Sequence, residues 1–446
     1  VSWSNIKILL IIIIFSGCSY SPKSYIVSQD DLSRERSSIK EYNISNRSYI
    51  LIDIEKDESE DDLLIQAIFY ESEGKYRRSN HFYNILYKKT NGIAYLIREL
   101  TTALYAGIDS PNVGKLKELA NKNPKNIQYK RLLLSFYIND RDIEGSKEIA
   151  NELLKISQMA IDYELSASPY ILDGEYEKAI EFLDKAYKKS YNEDILLKIT
   201  TLYANFLNNI GEAKRRLEEY RKKFGCSPKV CNQLLEIYSK TQEIKPLMEI
   251  YKALYRKTKI EIYAIKLVEA YIYIKDYNRA ISFLKHEYSN DELLYEVYLA
   301  KKDYKNALRV ADNLYKRTKK PRWLAESAMA LYESSTNKND SRMLNRFIEK
   351  FENALSQGAE DSVYLNYYGY TLIDKDINPR RGVELIERAL EYQPNNSYYL
   401  DSLAWGYYKL NMCKKAYKIM KRVVDMEGLD EDEIATHWRA IQECNR

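Results

Sequence analysis

Ser397-Tyr398-Tyr399-Leu400-Asp401-Ser402-Leu403-Ala404-Trp405-Gly406-Tyr407-Tyr408-Lys409, followed by Leu410-Asn411-Met412 and then Cys413 to Val424, decides the fold. Leu400, Leu403, Ala404 and Tyr407 recur at spacings of three and four, which puts them on one face of a helix. Ala416, Met420 and Val423 do the same in the stretch that follows. The linking residues are too few for anything but a tight reversal, so the two helices must run antiparallel and press their apolar faces together. Small residues at 404 and 416 allow that close approach.

The same pattern occurs one unit earlier, in residues 362–396, with Leu365, Gly369 and Leu372, then Gly382, Ile386 and Ala389, closing at Pro394 and carrying one extra residue in its turn. Going upstream, a Gly/Asp-x-Tyr turn followed by a small residue keeps the register. Gly74-Lys75-Tyr76 leads to Ser79, Tyr83 and Leu86; Gly174-Glu175-Tyr176 leads to Ala179, Leu183 and Ala186. Asp276-Tyr277 leads to Ala280 and Leu284, and Asp303-Tyr304 to Ala307 and Ala311. Weaker units fit residues 100–124, 130–153, 197–220, 231–254 and 323–354, the last with a longer polar turn. The period is about 34 residues, and about eleven helix pairs fill residues 63–430. Glycine (14) and proline (9) are scarce in 446 residues, which suits long helices, and no room remains for a separate catalytic domain.

Composition excludes more than it selects. Lys plus Arg (69) nearly balances Asp plus Glu (65), so no field of one sign argues for nucleic acid. Tyrosine is abundant (42) along with Ile, Lys and Asn, and its main expected use is core filling. The three histidines, His81, His286 and His437, form no catalytic arrangement, and no phosphate loop, HExxH or GxSxG is present. No enzymatic activity, cofactor, metal or small-molecule substrate is expected.

The N-terminus carries its own signal. Lys7 precedes an apolar run from Ile8 to Phe15, and Ser16, Gly17 and Cys18 follow. The run is far short of the ~20 residues a membrane span needs, so residues 1–17 read as a cleaved signal peptide. Phe15-Ser16-Gly17-Cys18 resembles the lipobox of bacterial lipoproteins, though Phe15 stands where Leu is usual. That resemblance implies lipidation at Cys18, and Ser19 after it implies export to the periplasmic face of the outer membrane. Residues 18–62 then form a polar linker ending in an acidic cluster suited to a helix N-terminus. Within it, Tyr49-Ile50-Leu51-Ile52-Asp53-Ile54 is either plain tether or a docking strand. Glu41-Tyr42-Asn43-Ile44-Ser45 matches the acceptor pattern of Campylobacter-like glycosylation, making Asn43 a candidate for a sugar.

From residue 63 onward, about 85% of the chain, the sequence resembles the tetratricopeptide repeat family, most clearly in residues 362–396 and 397–430. Leu400 to Tyr408 is particularly similar to repeats of Gram-negative envelope lipoproteins. The resemblance implies an all-α, right-handed α-solenoid closed by a capping helix over residues 431–446. It also implies an inner groove that takes a peptide or helix of another envelope protein. Transferred residue by residue, the groove positions are Asn366, Tyr370, Ile373 and Asp374, then Tyr398, Asp401, Trp405, Tyr408 and Lys409. Trp405 has a second reading, as a ring packed against the next helix. The basic clamp by which some members hold a C-terminal carboxylate is missing, since Asn366 and Asp401 stand where Lys would be needed.

Beyond Cys18, an even number of cysteines remains, and local pairing is expected. Cys226 and Cys231 flank a proline turn, while Cys413 and Cys444 could staple the open end of the array. The leading function is a non-enzymatic scaffold for an envelope assembly such as a flagellar motor, a pilus or an outer-membrane assembly complex. A regulator or enzyme of cell-wall remodelling is the alternative.

Overall fold

The structure, a computed structural model, describes residues 59–446. Every regular element among them is helical. In chain order the helices are α1 (Glu60–Ser72), α2 (Tyr76–Thr90), α3 (Ile93–Ala106), α4 (Val113–Lys122), α5 (Ile127–Asn139), α6 (Ile143–Ile156), α7 (Ala160–Leu172) and α8 (Tyr176–Ser190). Next come α9 (Glu193–Thr201, continued by a π turn over Leu202–Phe206), α10 (Ile210–Phe224), α11 (Pro228–Lys240), α12 (Ile244–Thr258), α13 (Glu261–Tyr273), α14 (Tyr277–His286) and α15 (Asp291–Ala300). The remainder are α16 (Tyr304–Thr318), α17 (Arg322–Ser334), α18 (Ser341–Ser356), α19 (Ser362–Asp374), α20 (Pro379–Tyr392), α21 (Ser397–Lys409), α22 (Cys413–Glu427) and α23 (Asp432–Cys444). They form eleven consecutive pairs and one terminal helix, an all-α solenoid. The described residues fall into two compact units, one ending at Leu254 and the other starting at Tyr255.

One turn, repeated, builds the pairs. Glu73 caps helix α1, Gly74 takes a left-handed φ of 70°, and the Lys75 N–H bonds back to the Tyr70 carbonyl at 2.8 Å. This closure satisfies carbonyls that a helix end would otherwise leave bare. It recurs with Asp142 on Tyr137 (2.9 Å), Glu175 on Tyr170 (2.9 Å), Glu243 on Tyr238 (3.0 Å), Asp276 on Tyr271 (2.8 Å), Asp303 on Tyr298 (2.9 Å) and Met412 on Tyr407 (2.8 Å). Where Asp stands there, its carboxylate also accepts an N–H of the next helix, Gly145 for Asp142 at 2.9 Å and Asn306 for Asp303 at 3.3 Å. A single residue thus ends one helix and starts its partner. The motif read as Gly/Asp-x-Tyr is this turn, and its left-handed position is filled by Gly74 and Gly174 but also by Arg141, Gln242, Lys275, Lys302 and Asn411.

The residues that set the register are buried: Ser79, Leu86, Ala179, Leu183, Ala186, Ala280, Ala307, Ala311, Ala404, Ala416, Met420 and Val423 are all inaccessible to solvent. Helices α19 and α20 approach backbone to backbone. A Cβ placed on Gly369 would lie 2.8 Å from the Gly382 carbonyl oxygen, and one on Gly382 would lie 2.5 Å from the Gly369 carbonyl oxygen. Backbone meets backbone there, so no side chain can move aside. Around this contact lies the largest described core, including Phe347, Phe351, Leu365, Tyr368 and Ile386. Gly369→Ala should force α19 and α20 apart and cost about 1–3 kcal/mol, read as a lower urea midpoint with an unchanged slope.

Candidate protein-binding face

The transferred groove positions lie on α19 and α21, whose starts are fixed by side-chain caps. Asp361 accepts the Val363 N–H at 2.9 Å, and Asn396 accepts those of Tyr398 (3.1 Å) and Tyr399 (3.3 Å). The structure brings Tyr370, Tyr398, Asp401, Trp405, Tyr408 and Lys409 together, but not as an open groove. Helix α23 lies on them. Tyr370 donates its hydroxyl to Glu433, and Tyr398 donates to Glu431 at 3.2 Å. Both Asp401 carboxylate oxygens sit 3.0–3.1 Å from His437 Nδ1, a pair almost wholly removed from water. Trp405 stacks on His437 with ring centroids 4.1 Å apart and on Tyr408 at 4.7 Å, with the Lys409 ammonium 5.5 Å from its ring.

Two expected groove residues are therefore corrected. Ile373 is fully buried, because Gly382 and Gly406 open the space its side chain fills. Asp401 is buried beneath His437 and faces no partner. Trp405 packs against α23, and its indole N–H, like the Asn366 side-chain oxygen, is buried without a partner. Asp374 pairs with Lys375 at 2.9 Å and Lys409 with Asp376 at 2.8 Å, at the edge of this cluster. Helix α23 covers these residues because it occupies the place of a next first helix. Its Ile434 and Ile441 complete the core of Leu400, Ala404, Ala416, Met420 and Val423, and Trp438 stacks on Tyr417 at 5.1 Å.

The sulfurs of Cys413 and Cys444 are joined, with Cα atoms 5.5 Å apart, which ties the start of α22 to the end of α23. Those of Cys226 and Cys231 are joined as well, across the turn into α11. His81 and His286 are exposed on α2 and α14. Among the described residues, no group of three or more His, Cys, Asp or Glu side chains is placed to hold a metal ion. Cys18, Asn43 and the run at 49–54 lie outside the described residues.

An open face that sequence reasoning missed lies between two first helices of the N-terminal unit. A cavity of about 470 Å³ is lined by Thr101, Leu104 and Tyr105 of α3 and by Gln128, Arg131, Ser135 and Ile138 of α5. Tyr105 is 67% exposed, yet its ring is backed by Tyr76 at 5.0 Å. Arg131 is held from below: its Nε donates to the fully buried Asp162 at 2.6 Å. Burial alone would raise the Asp162 carboxyl, but Arg131, Ser157 and the Met159 N–H outweigh it and hold the group below the usual carboxylate range. The lining mixes Leu104, Leu132 and Ile138 with Thr101, Gln128, Ser135 and Asn139, and it includes a positioned guanidinium. These repeats are degenerate, and only the exposed Tyr at the end of an apolar helix hinted at the face.

Also unforeseen was the use made of tyrosine. Hydroxyls donate to glutamates of other helices at Tyr83–Glu71 (2.8 Å), Tyr295–Glu326 (2.6 Å), Tyr364–Glu326 (3.0 Å), Tyr367–Glu333 (2.7 Å), Tyr368–Glu352 (2.8 Å) and Tyr407–Glu387 (2.6 Å). Each ring fills core while its tip satisfies a carboxylate.

Residues 275–441 match the tetratricopeptide repeat family model. Among solved structures, the chain is similar to a thermophilic tetratricopeptide-repeat protein of Thermus thermophilus, at 16% identity and a TM-score of 0.33, over 40% of this chain and 98% of that one. A tetratricopeptide-repeat protein of Parabacteroides merdae is similar at 12% identity and a TM-score of 0.29, over 55% and 98%. The Cut9-Hcn1 hetero-tetramer gives 11% identity and a TM-score of 0.32, over 86% and 90%. No curated protein matches the sequence.

The tyrosine network has a pH signature. Burial and the facing carboxylates push Tyr220, which donates to Glu193, and Tyr407 up to about 12. Their folded values exceed the unfolded value of about 10, so this stabilisation is complete below pH 10 and is lost as pH rises through 12. Helicity followed by circular dichroism should hold to pH 10 and fall between 10 and 12. A Tyr220→Phe, Tyr407→Phe double variant should lose less across that window.

Proposed function

We propose that this chain is a non-enzymatic scaffold that binds segments of other proteins on the first-helix faces of its repeats. The observation that carries the reading is the α3–α5 cavity, a depression between successive first helices lined by Tyr105, Leu104, Leu132 and Ile138 together with polar side chains. Exposed rings backed by a second ring, beside a fixed guanidinium, are what a docking segment with apolar and acidic side chains requires. The match of residues 275–441 to tetratricopeptide repeats supports the same reading. The aromatic cluster of α19 and α21 is a poorer docking place, because α23 already fills it.

In this proposal the chain works outside the cytoplasm. It is held at the periplasmic face of the outer membrane by lipid on Cys18, and its partners belong to an envelope assembly. The apolar run before Cys18 and the two joined cysteine pairs support export, since disulfides persist in oxidising compartments.

Crosslinking in the native organism, followed by mass spectrometry, tests the binding role. Specific protein neighbours linked to α3 and α5 are expected. Tyr105→Asp should reduce those links at least about tenfold while leaving helicity unchanged, and links that survive it at full yield would refute this placement. Cys18→Ala should move the protein from the membrane to the soluble fraction. The mature chain should carry the mass of acyl groups on Cys18; an unmodified mature Cys18 would remove the anchor.

A further inference from the structure

The second helices of the N-terminal unit run the same way in successive pairs, so their C-terminal turns share one edge of that unit. From α2 to α10, each of those turns carries at least one Lys. A cation there offsets the carbonyl end of the helix dipole. Yet α18, α20 and α22 of the C-terminal unit end with no basic residue in the last turn, so ending a helix in this protein does not require one. Exposed apolar side chains interrupt the same basic edge, at Ile93, Met159, Ile161, Tyr191 and Phe224.

Between the last turns of α8 and α10 lies a cavity of about 360 Å³. Four rings line it in series, with centroids 5.7 Å apart for Tyr187–Tyr191, 6.0 Å for Tyr191–Phe224 and 4.8 Å for Phe224–Tyr220. Tyr191 is 50% exposed although it stands at a left-handed φ of 49°, where α2 is followed by Asn91. A bulky side chain is an outlier there, and such outliers persist where the surroundings hold them and concentrate at functional sites. The joined Cys226 and Cys231 fix the chain just beyond Phe224. The carboxylates of the lining, Asp184 and Glu219, are engaged by Arg216 and Arg215. Lys223 holds its ammonium 4.0 Å from the Tyr191 ring centroid, and Lys188 and Lys222 are exposed beside it.

We propose that this edge rests on an anionic phospholipid surface. Tyr191 and Phe224 enter the headgroup layer, while Lys188, Lys222 and Lys223 bend their long stems to keep the ammonium groups on the phosphates. An acidic peptide in the cavity would need the α8–α10 pair alone. Basic turns and exposed apolar tips repeated from α2 to α10 instead fit an extended, planar anion. The contact is separate from the α3–α5 cavity and requires no lipid on Cys18.

The test uses the purified full chain carrying Cys18→Ala, so that no acyl anchor contributes and residues 1–17 are common to every sample. A photoreactive benzoylphenylalanine replaces the exposed Phe224 ring. Irradiation with vesicles of phosphatidylglycerol and phosphatidylcholine should give lipid adducts at position 224. Vesicles of phosphatidylcholine alone should give at least about tenfold fewer, as should a Lys188→Glu, Lys222→Glu, Lys223→Glu variant of unchanged helicity. No adduct with the anionic vesicles, equal adducts on both vesicles, adducts that survive the triple variant, or links that form to a second copy or an acidic protein in place of lipid would each overturn the proposal.

Discussion

Most of this array depends on reversing the chain in three residues without wasting a backbone hydrogen bond. A helix end leaves carbonyls bare, and eleven pairs bring many ends close to one another. The left-handed residue and the bond from the residue after it back to the Tyr70-type carbonyl solve this at seven of the eleven pairs. Because the closure is made by backbone, the residue at the left-handed position can be Gly, Arg, Gln, Lys or Asn. The sequence can therefore drift while the geometry stays constant, and the upstream repeats look degenerate yet fold alike.

Tyrosine gives the array its second set of ties. A phenylalanine would fill the same space, but it would leave Glu71, Glu326, Glu333, Glu352 and Glu387 without the hydroxyls that reach them from other helices. Glu326 accepts from both Tyr295 and Tyr364, one belonging to the pair before and the other to the pair after, so one carboxylate registers three successive first helices. Neutral donors on carboxylates avoid the desolvation of a buried cation.

The architecture was legible in the sequence because its signals are local. Small residues at 404, 416, 369 and 382, and the tyrosine turn, act within a single pair, and a spacing of three and four residues displays them directly. The binding surface was less legible because its signals are distant. Nothing around Asp401 and Trp405 announces that His437 will sit on them, and a family's groove positions assume a groove left open. Likewise Tyr105 gains meaning only when Tyr76 and α5 are beside it. Pairings over tens of residues are where helical periodicity stops informing.

The cross-link between Cys413 and Cys444 gives the molecule a direction. In a linear array each pair is steadied only by its neighbours, so separation begins at whichever terminus is held less firmly. With α22 and α23 covalently bound into one piece, peeling from the C-terminal side must detach both helices together. A disulfide that spans two helices thus makes the last pair and its cap one cooperative unit rather than two.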